Sequence, residues 1–207
     1  MSKIRVGVIF GGKSTEHEVS LQSAKNIING LDRSKFDVCL IGINKEGQWH
    51  EYDEANFLLH GDDPAHIALN TPKRSIAVVP GKQSEQFISL EDAKPLPQID
   101  LIFPIVHGNL GEDGSLQGLL RMVNLPFVGP GVLGSSACMD KDVTKRLLRD
   151  AGLHIAPFIT LLKSSRGEIS YAATVEKLGL PLFIKPANQG SSVGISKVNN
   201  ESEFNAA

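Results

Sequence analysis

Cysteine is scarce in this 207-residue chain, which holds only Cys39 and Cys138, far apart in the sequence. Two isolated thiols exclude a CxxC metal or redox site and point to a reducing compartment. Both are expected as small buried apolar side chains. Charge of one sign is also lacking: 21 Lys and Arg stand against 23 Asp and Glu, a formal net charge of −2. No strongly basic face is implied, so nucleic acid is not an expected partner. Long apolar runs are absent, and nothing approaches a membrane span. The run Val6 to Phe10 is too short for a signal peptide and is followed at once by Gly11-Gly12. There is no internal repeat and no low-complexity tract. A cytoplasmic chain is expected, with length and 41% hydrophobic content sufficient for one large domain or a domain and a part.

What is present alternates strand and helix. Ile4 to Phe10 is apolar on both faces, as in a parallel strand covered by helices on either side. The turn Gly11-Gly12-Lys13-Ser14 leads into a helix with Ala24, Ile27, Ile28 and Leu31 on one stripe, and Thr15 and Glu18 are spaced as its capping box. Phe36 to Ile43 is a second strand. Residues 51–98 are polar and proline-punctuated, with Ile76 to Val79 and Gln86 to Leu90 paired as a short hairpin, and His60 and His66 as solvated loop residues. Asp100 to Val106 is another two-face apolar strand, followed by the helix Ser115 to Asn124 and a short strand Pro126 to Val128. This alternation predicts a parallel sheet with right-handed crossovers, in which ligands collect beyond the carboxyl ends of the strands. Gly129-Pro130-Gly131 reads as a domain boundary. After it come a small-residue turn at Ser135 to Ala137, a helix Asp140 to Ala151 with an apolar stripe of Val143, Leu147, Leu148 and Ala151, and Gly152 as its C-terminal cap. A strand Phe158 to Leu162, a helix Tyr171 to Leu178 and a hairpin around Lys185 complete the pattern.

Five stretches carry candidate chemistry. Gly7 to Ser14 formally matches GxxxxGK[ST], but Val8, Ile9 and Phe10 belong to the strand, so no loop remains to wrap a phosphate. Glu16, in the first turn of a helix on the ligand edge, is placed to receive an ammonium; the alternative is a surface acid favoured by the helix dipole. His17 is a solvated neighbour or a contact. His107-Gly-x-x-Gly111-Glu112-Asp113-Gly114 is a tightly bent loop whose histidine can orient a polar group near neutral pH. The alternatives there are a satisfied core histidine and, for Glu112 and Asp113, helix capping. Lys141 opens a helix, where a cation opposes the dipole unless an anion is nearby; an exposed lysine tolerating the cost is the alternative. The Lys185 hairpin holds Gly190, Ser191, Ser192 and Gly194, donors able to converge on a phosphate, though an ordinary polar hairpin reads the same way.

Taken together, Gly11-Gly12-Lys-Ser-x-Glu16-His17-Glu18-Val-Ser20, the His107 to Gly118 stretch, Ser136-Ala-Cys-Met-Asp140-Lys141 and Lys185-Pro-x-x-x-Gly190-Ser-Ser-x-Gly194 resemble the D-alanine–D-alanine ligases, which are ATP-grasp enzymes. Four motifs in the family's order span essentially the whole chain. The resemblance implies an α/β fold: a Rossmann-like, parallel-sheet N-terminal domain over residues 1–130, then the start of an α+β ATP-grasp central domain over residues 131–207, with the C-terminal catalytic domain absent.

By the same resemblance Glu16 anchors the first D-alanine's ammonium, His107 lies near the amino-acid pocket, and Ser191 joins Glu16 in a network over the substrates, these being the catalytic and substrate-binding assignments. Lys141 and Lys185 hold the ATP phosphates, and Ser192 with the Gly190 and Gly194 backbone closes on the nucleotide. The implied reaction is ATP-dependent ligation of two D-alanines through an acyl phosphate for peptidoglycan synthesis, with magnesium bridging the phosphates and its ligands beyond Ala207. A homodimer is implied for the full-length protein, and no activity for these 207 residues alone. A D-alanine–D-lactate ligase, another ATP-grasp carboxylate–amine ligase and a non-catalytic nucleotide-binding module are the alternatives.

Overall fold

A computed structural model describes residues 3–207. The chain divides into two compact units, Met1–Ser136 and Ala137–Ala207.

The first unit is built on a six-stranded sheet. β1 (Ile4–Gly11) runs parallel to β2 (Phe36–Ile43), in register from Ile4 opposite Phe36 to Gly11 opposite Ile43. The helix α1 (His17–Gly30) makes the crossover between them. The polar segment that follows supplies more strands than its sequence suggests. β3 (Trp49–Tyr52) adds antiparallel to β2, a two-residue pair β4 (Leu58–Leu59) and β5 (Ala68–Leu69) forms beside the sheet, and β6 (Arg74–Val78) and β7 (Phe87–Ser89) form the expected hairpin. β8 (Leu101–Pro104) returns parallel to β1, giving the order β7-β6-β3-β2-β1-β8. The sheet is therefore mixed, parallel at β2-β1-β8 and antiparallel beyond β2. The strand expected at Pro126 to Val128 reduces to one parallel bridge, Phe127 to Ile102.

Each sheet face carries its own core. Val6, Val8 and Phe10 meet Leu21, Ala24 and Ile28 of α1 together with Phe57 and Ile67 from the polar segment. Phe57 stands edge-on to Phe10 at 5.5 Å. On the other face Ile9, Ile41, Ile99 and Ile102 pack against Leu116 and Leu120 of α2 (Ser115–Met122). Two covered faces explain why β1 is apolar at consecutive positions. Residues 132–139, expected to contain a small-residue turn, form α3 (Val132–Met139). Small side chains give no turn signal of their own when no Pro or Gly follows to stop the helix.

In the second unit α4 (Lys141–Asp150) is capped by Asp140, whose Oδ1 accepts from the Asp142 and Val143 N–H groups at 2.9 Å each. Gly152, at φ 73°, takes the left-handed position just past its end. The expected apolar stripe does not pack: Val143, Leu147 and Leu148 are 40%, 55% and 37% exposed, because the unit's small core is formed elsewhere. That core is Leu182, Val198 and Phe204, with Tyr171 and Val175 against it. It is contributed by α5 (Tyr171–Leu178), the hairpin of β9 (Leu182–Ile184) and β10 (Ser196–Val198), and α6 (Glu201–Ala206). Residues 158–162 form no ladder, so the strand expected there is absent, and Lys163–Glu168 is a 3₁₀ segment.

Candidate functional site

The turn after β1 is shaped by close approach. Gly11 (φ 86°) has the Ile43 carbonyl oxygen 2.2 Å from where a Cβ would stand, so no side chain fits. The buried Ser20 hydroxyl accepts from the Gly11 N–H at 2.7 Å and donates to the Ile105 carbonyl at 2.6 Å. His17 is 5% exposed, with Nδ1 2.7 Å from the Gly12 carbonyl oxygen. It is a structural contact of the turn, not a solvated neighbour. The capping box does not form. Glu16 occupies the N-cap of α1 without a side-chain cap bond, and Glu18 pairs with Lys45 at 2.5 Å. Ser14 takes over the local role, its Oγ accepting from the Glu16 N–H at 3.1 Å and donating to the His107 carbonyl at 2.7 Å.

That second bond joins the Glu16 turn to the loop after β8. There His107 Nε2 lies 2.9 Å from Ser23 Oγ, and Nδ1 lies 3.9 Å from Glu112 Oε1. Glu112 Oε2 accepts from the Gly108 N–H at 2.7 Å, so it staples the loop and caps no helix. Asp113 accepts from Leu110 N and Ser115 N, both at 2.9 Å, while Gly114 (φ 94°) is the residue at the N-cap of α2. Burial opposes the Asp113 charge, but the two backbone donors more than offset it and leave its carboxyl below the ordinary value. Gly108 (φ 71°) faces Glu16: a Cβ there would stand 2.8 Å from Glu16 Oε2. Glu16 and His107 are thus brought to one end of β1 and β8, the edge where parallel sheets bind ligands.

The second unit gathers the remaining candidates. Lys141, first residue of α4, donates from Nζ to the Gln189 carbonyl and from its backbone N–H to the Ala187 carbonyl at 3.0 Å. Asn188, oriented to donate, reaches Asp140 Oδ2 at 2.9 Å. The loop between β9 and β10 is therefore fastened to the start of α4, which brings Lys141 to the Lys185 hairpin. The expected backbone freedom sits one step along: Ser191 (φ 46°), Ser192 (φ 61°) and Gly194 (φ 70°) are left-handed, and Gly190 is not. Successive left-handed residues turn their N–H groups toward a common side, an arrangement suited to anions. Lys185 is exposed.

Sequence patterns alone missed Ser14, Ser20, Ser23 and Asn188. A signal existed for the middle two. Ser20 and Ser23 lie one turn and two turns after Glu16, and Ser20 sits on a buried stripe that is otherwise apolar beyond His17. Of the two cysteines, Cys39 is buried as expected and Cys138 is exposed, since α3 turns it outward. Among the described residues no group of three or more His, Cys, Asp and Glu side chains is placed to hold a metal, and no helix is long and apolar enough to cross a membrane.

The description "D-ala D-ala ligase N-terminus" matches residues 5–130, and "D-ala D-ala ligase C-terminus" matches residues 147–207. The chain belongs to the D-ala D-ala ligase family. It is 68% identical over all 207 residues to a D-alanine–D-alanine ligase of Proteus mirabilis and 66% identical to D-alanine–D-alanine ligase A of an Escherichia coli O6:H1 strain. In each case it spans 57% of the relative's length. Among solved structures it is similar over its whole length to the D-alanine–D-alanine ligase of Coxiella burnetii, with 37% identity, a TM-score of 0.85 and 57% of that chain covered. It is also similar to the VanG D-Ala:D-Ser ligase of Enterococcus faecalis, with 34% identity, a TM-score of 0.79, and 99% and 58% coverage. These ligases share the mixed α/β architecture described above.

Proposed function

We propose that a ligase of the relatives' full length carrying this sequence joins two D-alanines, at the expense of ATP, into the dipeptide used for cell-wall precursors. The observation that carries this reading is the fastening of the Lys185 hairpin to α4 through Lys141 and the Gln189 carbonyl. It supports a single cradle made of two cationic motifs and the left-handed Ser191-Ser192 backbone. Within the second unit the ion pair Asp142–Arg146 leaves Lys141 and Lys185 without a carboxylate partner of that unit. Unneutralised lysines beside an N–H-rich turn suit a polyphosphate, so the residues fit ATP.

The assigned roles are as follows. Lys141 and Lys185, with Ser192 and the Gly190 and Gly194 backbone, hold the nucleotide. Glu16 receives the ammonium of the first D-alanine, His107 lies beside that amino acid, and Ser191 serves the substrates. The first carboxylate takes the γ-phosphoryl group, and the second amine displaces phosphate from the acyl phosphate. Catalysis of this kind rests on positioning and on neutralising phosphate charge. Magnesium, when bound, would offset the phosphate charge, and this chain's own residues contribute the lysines. The proposed organisation is a substrate domain over 1–130 and the beginning of the ATP-grasp region over 131–207, in a cytoplasmic homodimer.

The likeness to a D-Ala:D-Ser ligase as well as to D-alanine–D-alanine ligases favours a second-substrate choice made outside these residues. The test is D-alanine-dependent phosphate release by the full-length protein, with D-lactate and D-serine as competing second substrates. D-alanyl-D-alanine as main product, lost in Glu16→Gln, supports the reading. ATP hydrolysis indifferent to D-alanine would overturn it.

A further inference from the structure

Lys145 stands one helical turn after Lys141 on α4, so the two side chains rise from the same face. Its Nζ donates to the Ala156 carbonyl at 3.2 Å and lies 4.9 Å from the centre of the Phe158 ring. A carbonyl on one side and an aromatic face on another hold the ammonium in place without neutralising it. No carboxylate is ion-paired with Lys145 among the described residues. Burial, and after it the positive charge of Lys185, pull the Lys145 ammonium below the usual lysine range. Lys141, one turn earlier on that face, is fastened to the Gln189 carbonyl in the Lys185 hairpin, so Lys145 rises beside the same loop. Lys185 makes no polar bond among the described residues, whereas Lys145 is pinned.

We propose that Lys145 is a third cation of the phosphate cradle: a positioning residue, held by Ala156 and Phe158, that raises the positive potential where Lys185 meets a polyphosphate. Three like charges, none of them ion-paired to the neighbouring Asp140, repel one another, and a polyanion relieves that repulsion on binding. The inference rests on the nucleotide reading above and adds a residue to it that the family motifs leave unassigned.

The test uses a full-length ligase carrying this sequence, with inorganic tripolyphosphate and, separately, ATP, titrated calorimetrically at low and high salt. Lys145→Gln keeps a donor for Ala156 but removes the charge, and Lys145→Arg keeps both. The expected result is a loss of about 3- to 10-fold in affinity for Lys145→Gln at low salt, a smaller salt dependence than the parent chain, and recovery in Lys145→Arg. If Lys145→Gln matches the parent chain in affinity and salt dependence, the role of Lys145 is overturned while the nucleotide reading stands. If Lys145→Gln and Lys145→Arg weaken binding equally with salt dependence unchanged, Lys145 is only a structural pin and the proposal also falls. If the parent chain binds neither ligand, the nucleotide reading itself fails and takes this inference with it.

Discussion

The Ser14 hydroxyl donates to the His107 carbonyl at 2.7 Å, joining two loops 93 residues apart. The same oxygen accepts the Glu16 N–H, so the backbone positions of Glu16 and His107 depend on one side chain. Ser14→Ala should cost about 1–2 kcal/mol of stability, because a part-buried carbonyl and N–H lose a partner together. Urea unfolding of the 207-residue chain measures this. In a full-length ligase the same change should raise the KM for D-alanine more than the KM for ATP. An equal effect on both would show that the bond does not position the amino-acid side of the site.

Glycine substitutions in the His107 loop should separate folding from function. A Cβ at Gly111 would stand 2.1 Å from the Val106 carbonyl oxygen, a clash with backbone that only a loop rearrangement can relieve. Gly111→Ala is expected to cost about 3 kcal/mol or more, read as a lowered unfolding midpoint. At Gly108 the obstacle is the movable Glu16 carboxylate, so Gly108→Ala should cost only about 1–2 kcal/mol, mostly backbone strain at φ 71°. Its larger effect should fall on D-alanine affinity, through displacement of Glu16.

Asp113 gives the loop an acid sensitivity with a defined sign. Its carboxyl is held below the usual aspartate range in the folded chain: burial opposes ionisation, but the Leu110 and Ser115 N–H donors outweigh it. A depressed folded value means that its contribution is fully present above the unfolded pKa and lost as pH falls through the folded one. Asp113→Asn should therefore be less stable than the parent chain at pH 7, and the gap should narrow below about pH 4. Paired denaturation curves across this range check it, and a constant gap would contradict the assignment.

The two thiols should differ sharply in reactivity. Burial, then the nearby Glu51 carboxylate, raises the Cys39 thiol to about 11, so little thiolate exists at pH 8. Cys138 is exposed. Brief alkylation of the folded chain followed by peptide mass analysis should find the label on Cys138, with Cys39 modified only after unfolding. Equal labelling of both would contradict the burial of β2.

The strands of the first unit were legible where both faces are buried, since residues 6–11 of β1 and 39–43 of β2 are unbroken apolar runs. β3 was not. Its sequence, Trp49-His-Glu-Tyr52, carries a charge in the middle, and Glu51 is met by Arg74 Nε at 2.7 Å from the neighbouring strand and by Lys73 Nζ at 3.2 Å just before it. That compensation comes from two residues more than twenty positions away, and no local pattern announces it. The capping box failed for a similar reason. Glu18 had a choice between its own helix end and Lys45, and the fold supplied Lys45.

By itself the sequence determined the parallel centre of the sheet, the positions of Glu16, His107, Lys141 and the Lys185 hairpin relative to strand and helix ends, and membership of a ligase family. These depend on local periodicity, glycine placement and motif order, which a linear string records in full. Only the tertiary structure decided that Ser14, not Thr15, organises the start of α1, that Ser191 and Ser192, not Gly190, take the left-handed positions, and that Lys145 is held by Ala156 and Phe158. Each is a choice among partners that are remote along the chain. The energy separating those choices lies in desolvation and hydrogen-bond geometry, and both come into being only when the chain has folded.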